Sequence, residues 1–341
     1  MAKRWNKRPD GSNWGEFGED DQVGRLHLIT PARRLSAAKE IKEGKNFVLS
    51  LPLDVPRGKG LSEHRKGPQL HSGAAYNTPL EDVFREMRDG KFPAGCMDVG
   101  CDDSVNMFLQ YSTQWDALCH IGALFDIEDR GDFERVYYNG WRGDELLRPG
   151  EGGPYAKKLG IENMARTGVQ GRGVLVDLVR AYGLDRKIVS FEDLQWVMKD
   201  QKVVVEMGDV LCLRTGFAEV MLDMGVSLDR DQLNRTGAVL DGSDVKLQRF
   251  VADSGIVAIS ADNLAVENSE MVPFPLDRGY TVLPLHHLCL FKLGIHLGEL
   301  WLFRELADWL HEHGRNRFFL TAPPLNLPGA VGSPSTPVAT V

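Results

Sequence analysis

Residues 173–214 read GVLVDLVRAYGLDRKIVSFEDLQWVMKDQKVVVEMGDVLCLR. Residues 173–179 form a short apolar run rich in β-branched side chains, the pattern of a buried strand. Residues 190–200 (SFEDLQWVMKD) carry apolar positions at helical spacing behind Ser190 and Asp193, a variant of the capping box, so a helix is expected to open at Ser190. Residues 209–214 (DVLCLR) are a second apolar run. Strand, helix and strand in succession favour an α/β class over all-α or all-β. Outward from this stretch the same alternation continues, with strand-like runs at 47–53, 105–111 and 255–260 and helical periodicity at 245–252 and 302–313.

The chain has 341 residues, 43% of them hydrophobic and 26% charged, enough apolar material for a large buried core and too much for disorder. Forty Lys and Arg against 48 Asp and Glu give a formal charge of −8, so there is no basic field for a phosphate backbone and no nucleic-acid partner is expected. No apolar run approaches the roughly 18 residues a membrane helix needs, and the basic start lacks an apolar stretch behind it. A soluble cytoplasmic protein with no membrane partner is expected. The five cysteines form no C-x-x-C pair; Cys212 and Cys289 lie in apolar runs, as reduced core residues do.

No repeat and no interior linker divides the chain. It reads as an arm over residues 1–30, one compact domain over 31–320 and a proline-rich tail over 321–341, TAPPLNLPGAVGSPSTPVATV, whose prolines forbid a helix. Trp5, Trp14 and Phe17 in the arm are costly to leave exposed, so both extended ends are expected to lie across a partner subunit.

Three clusters could carry chemistry. Residues 110–120, QYSTQWDALCH, set Gln110, Thr113, Gln114, Asp116 and His120 behind an apolar run, and polar groups at a strand end are where α/β sites are built. A capping turn with Asp116 and His120 as a buried pair is the plain structural alternative. The second cluster is His286 and His287 followed by His296 and Glu299, residue types that ligate Zn or Mn. Adjacent histidines point in different directions on any regular element, so only one of the pair is expected to share a site with Glu299. The third, Asp262, Asn263 and Glu267, ends the 255–260 run and would serve equally to line a pocket or to cap a turn. No dinucleotide fingerprint, Walker A loop, G-x-S-x-G elbow or H-E-x-x-H helix is present.

Taken in order, these clusters resemble the cyclase family that includes bacterial kynurenine formamidases and isatin hydrolases. The family's H-x-G-T-H-x-D-x-P-x-H motif falls in register on residues 110–120: Thr113, Asp116 and His120 match, while Gln110 and Gln114 replace the two leading histidines, Ser112 the Gly and Leu118 the Pro. The family's late His, twelve residues before a Glu, corresponds to His287 and Glu299, and GDVLCLRTG resembles its Gly-Asp strand. Gln-Trp-Asp and the later YYNGW resemble a longer branch of the family.

The resemblance implies a β/β/α swivelling domain, a homodimer or homotetramer, and hydrolysis of an amide, lactam or lactone bond in a small cyclic or aromatic-acyl substrate with a divalent metal, Mn or Zn. It implies Asp116 as the retained metal ligand with Gln110, Gln114 and Glu299 beside it, His120 as the base, and His287 at the metal or the substrate. Trp115, Tyr111 and Trp141 are candidates for an aromatic pocket wall, and Thr113 is grouped with them as substrate-binding. Gln carbonyls are neutral, hard ligands, which shifts preference toward Mn or Mg or removes the metal altogether. The alternatives are a metal-free lyase or lactone hydrolase run by Asp116 and His120, and a non-enzymatic binding scaffold.

Overall fold

The computed structural model describes residues 3–58, 60–73, 75–148, 150–153, 155–269 and 280–341. Its main sheet has nine strands: β1 (Asn46–Val48), β2 (Gln114–Asp116), β3 (Gln170–Asp177), β4 (Val210–Arg214), β5 (Ala258–Ala261), β6 (His296–Glu299), β7 (Arg317–Thr321), β8 (Gly332–Pro334) and β9 (Val338–Thr340). They lie in the order β1-β9-β7-β3-β4-β5-β6-β2-β8. The four central strands β3, β4, β5 and β6 are parallel, and antiparallel strands extend the sheet on both sides. The near-continuous burial of β4 and β5 is what a parallel strand covered on both faces requires.

The helix between β3 and β4 is α1 (Phe191–Asp200); Ser190 accepts from the Asp193 amide and Asp193 reaches back to Ser190, the full capping box. Helix α2 (Val245–Asp253) precedes β5 and buries Leu247 and Val251, and α3 (Arg304–Glu312) follows β6 and buries Leu306, Ala307, Trp309 and Leu310. All three fall where the periodicity places them. The α/β class holds, and Cys119, Cys212 and Cys289 are free and buried.

Two expectations need correction. The 105–111 run does not feed the main sheet: its strand is Asp103–Asn106, fully exposed and paired only with Gln69–Ser72. That ribbon, a two-residue ladder and the helix Leu80–Met87 form an excursion in which no described residue from 61 to 110 is buried. An apolar run shows a tendency to be covered; it does not say by what. The two ends of the chain are extended but do not wait for a partner to cover them. Trp5 and Trp14 are buried within the subunit, the Trp14 indole donating to the Phe291 carbonyl at 2.8 Å. The tail supplies β8 and β9, with Pro334 on an edge strand, where a missing N–H is tolerated, and Val341 fully buried. Among the described residues no helix is long and apolar enough to cross a membrane.

Candidate functional site

Strands β2 and β6 pair antiparallel with Gln114 opposite Glu299 and Asp116 opposite Leu297. Because side chains alternate along a strand, Gln114, Asp116 and Glu299 share one face, and Trp115 points through the other to stack edge-on against Trp301 at 5.0 Å. All three β2 residues are buried. The Gln114 Nε2 donates to Glu299 Oε2 at 3.1 Å, which leaves the Gln114 Oε1 and both Asp116 oxygens buried without a hydrogen-bond partner. Unpartnered carboxylate oxygens in a core are costly, and a cation is the ordinary remedy.

The third wall comes from a short turn of helix, Pro284–His286, that runs into a π-helical stretch, His287–Leu293. His286 Nε2 lies 3.3 Å from Glu299 Oε1 and 4.0 Å from Asp116 Oδ2. Its orientation is fixed from behind by Glu267, whose carboxylate accepts from the Leu285 amide at 2.8 Å, the His286 amide at 2.9 Å and His286 Nδ1 at 2.9 Å. Glu267 follows Ala265 and Val266, both left-handed (φ 73° and 59°), and Leu300 beside Glu299 is left-handed as well (φ 54°). A β-branched residue in that region is strained, and such strain collects where a side chain must be aimed.

Burial drives the Asp116 carboxyl above its ordinary range; His120 opposes this and the nearby Glu299 adds to it. Burial also penalises the His286 imidazolium and would raise Glu299, but the hydrogen bonds between them, with Glu267 behind, prevail: His286 is pushed up to about 10 and Glu299 falls. His120 Nε2 stands 3.8 Å from Asp116 Oδ1, too far for a hydrogen bond, and faces a cavity of about 290 Å³. Gln110, Tyr111, Arg65 and the apolar side chains of Pro56, Leu61 and Leu264 also line it.

Donor atoms of Asp116, His286 and Glu299 all lie within 4.8 Å of one another. With the Gln114 Oε1 beside them, two carboxylates, one imidazole and one amide oxygen fit a divalent ion, and the unpartnered oxygens are the observation behind that fit.

Several expected site residues lie elsewhere. His287 points away from the cluster onto Phe291, 4.9 Å between ring centres, and burial pushes it down to about 4; its neighbour His286 takes the place because the Glu267 carboxylate anchors that residue's amide and ring together. Trp115 is core, with its indole donating to the Ala322 carbonyl at 2.8 Å. Trp141 lies under the Arg4 guanidinium, 3.6 Å from its ring, and is no part of the cavity. Thr113 is a brace: its hydroxyl donates to the Leu300 carbonyl at 2.5 Å and accepts from the Leu51 amide at 2.8 Å. Tyr111 and Gln110 do line the cavity, and the Gln110 Nε2 is buried and unpartnered. Asp262 accepts from the Thr215 and Gly216 amides and holds a turn. Sequence reading did not single out Arg65, which sits in a polar loop with no motif around it.

Residues 47–268, well over half of the chain, match the family model described as Putative cyclase. A solved structure described as a novel cyclase is 32% identical, covers 97% of each chain and superposes with a TM-score of 0.75. Isatin hydrolase A from Labrenzia aggregata, solved with benzyl benzoate, is 14% identical over 91% of this chain and 98% of its own at a TM-score of 0.53. Isatin hydrolase A from Ralstonia solanacearum is also 14% identical, over 91% and 97%, at 0.54. At that identity the two share the fold. No curated protein matches the chain. The length of the family match and the 32% identity over nearly the whole fold place this chain in the cyclase family.

Proposed function

We propose that the protein is a metal-dependent hydrolase opening an amide, lactam or lactone bond of a small cyclic or aromatic-acyl substrate. The observation that carries this reading is the buried trio of Asp116, His286 and Glu299, with three unpartnered oxygens on Asp116 and Gln114, beside a cavity that His286, Glu299 and His120 line. Two carboxylates and an amide oxygen against one imidazole make a hard donor set, which favours Mn over Zn. When bound, a divalent ion supplies a water of lowered pKa and polarises the carbonyl.

The chain's own groups supply the rest. His120 accepts a proton from the attacking water as its oxygen bonds to the carbonyl carbon, and returns that proton to the departing nitrogen or oxygen as the ring or amide bond breaks. Gln110, with a free buried N–H donor, is placed to stabilise charge developing on the carbonyl oxygen. Glu267 keeps the proton of His286 on Nδ1, so that Nε2 faces Asp116 and Glu299 as a donor atom. The fold shared with the isatin hydrolases agrees with a hydrolase by analogy of fold alone.

A screen of formamides, lactams and lactones with and without Mn tests the reading; turnover of at least one class, lost on chelation, is expected. The placing of His286 between two carboxylates, Nδ1 2.9 Å from Glu267 Oε1 and Nε2 3.3 Å from Glu299 Oε1, favours a second reading, in which its imidazolium takes the cation's place between them. Activity unaffected by chelator would select it, and silence throughout would select a binding scaffold.

We also propose a homo-oligomer. Its support is the excursion, where Leu70, Met87, Met97 and Val99 are exposed, and no longer the arms. Light scattering that returned the mass of one chain would overturn it.

A further inference from the structure

Resting on the hydrolase reading, we infer that the substrate is a small anion with an apolar body, held by its carboxylate on Arg65 at the rim while its scissile carbonyl faces the floor. Among the described residues, Arg65 is the only Arg or Lys lining the cavity. Its Nη1 donates to the Gln110 carbonyl at 2.8 Å, so one arm of the guanidinium is anchored, and among the described residues it forms no ion pair. The remaining N–H donors of a permanently charged, half-buried fork have a carboxylate as their natural complement, and covering them with a neutral group instead would leave the charge desolvated and unpaired.

The floor excludes the opposite orientation. Asp116 and Glu299 lie there, and Glu267 stands behind His286, so a divalent ion among three carboxylates leaves no surplus positive charge to attract the substrate's anion. Apolar side chains of Pro56, Leu61, Leu264 and Leu300 make much of the wall, with Ser62 and Ser269 among them, and about 290 Å³ suits a single ring. The open cleft beyond Arg65 sets Lys66 and Arg230 against Glu63, Asp229 and Asp231, so its charges are mixed and it offers no competing anion site.

The test compares a monocyclic lactone bearing a carboxylate with the same lactone bearing the isosteric carboxamide. Wild-type kcat/KM is expected to favour the acid by about tenfold or more, and Arg65→Gln to reduce that ratio to near one, with Arg65→Lys between them. Equal kcat/KM for the two lactones in the wild type, or an unchanged ratio in Arg65→Gln, overturns the inference while leaving the hydrolase reading intact. If neither lactone is turned over the hydrolase reading is in question, and calorimetry with benzoate and benzamide then decides the inference alone. Benzoate binding that weakens at least about tenfold in Arg65→Gln supports it; benzoate and benzamide binding alike, or benzoate binding indifferent to the substitution, overturns it. A circular dichroism melt unchanged from wild type guards against a folding defect.

Discussion

The floor of the site and the excursion at its rim are built in opposite ways. The floor is two paired strands of the main sheet, β2 and β6, every residue of which is buried, with the chemistry on one face and Trp115 and Trp301 locking the other. The excursion has no buried residue among those described from 61 to 110, and Leu70 and Met97 are 76% and 94% exposed. The reactive donors therefore sit where packing fixes them to a fraction of an ångström, while Arg65 stands on chain that opens at little cost. Precise positioning belongs to the sheet and substrate choice to the loop, a division of labour that leaves one free to vary without the other.

The sharpest way to break this contrast is at the floor. Asp116→Asn removes the charge that holds a divalent ion, so elemental analysis should show the metal lost, and turnover should fall on the order of a thousandfold or more. His120→Ala should lose turnover and keep the metal, because a base outside the ligand set only moves protons. Equal metal content in both variants would show that the floor is not a metal site.

Trp115→Ala tests the other face of the same strand. A fully buried indole stacked on Trp301, with its N–H on the Ala322 carbonyl, should cost about 3–5 kcal/mol in denaturant unfolding. A loss below about 1 kcal/mol would mean that the floor is no more rigid than the rim.

Glu267→Gln probes the strained segment behind His286. The amide keeps one oxygen for the helix-turn N–H groups but loses the charge that holds the Nδ1 proton, so metal affinity measured by calorimetry should weaken about 10–100-fold with little change in melting temperature. An unchanged affinity would assign the strain at Ala265 and Val266 to the turn alone.

What the sequence revealed divides along the same line. Residues 173–214 announce strand, helix and strand because burial on a parallel sheet forces long apolar runs, and Ser190 caps its helix by local chemistry alone. Asp116, His120 and Glu299 were legible because they sit in a motif of fixed register. The choice between His286 and His287 was not, since it depends on helical phase and on a carboxylate nineteen residues away along the chain. Arg65 had no local signal, because its role comes from a loop folding over a distant strand. Trp141 was misplaced because an aromatic residue near a motif is as readily a platform for the N-terminal arm.

The smallest expected effect lies on the excursion. Met97→Ala should change stability by less than about 0.5 kcal/mol, since the side chain has almost no packing to lose. A proteolytic version is more telling. Arg88 and Lys91 are exposed just past the end of the Leu80–Met87 helix, so trypsin should cut there first, before any site in the main sheet. The nicked protein should melt within a few degrees of the intact one, on the order of a 1 kcal/mol change, because no described residue from 61 to 110 is buried. Its selectivity for the acidic lactone should fall while metal content stays constant, since Arg65 and its Gln110 anchor lie on opposite sides of the nick, whereas β2 and β6 both lie beyond it. A nick that released the metal, or lowered the melting temperature as far as Trp115→Ala does, would mean that rim and floor fold as one unit.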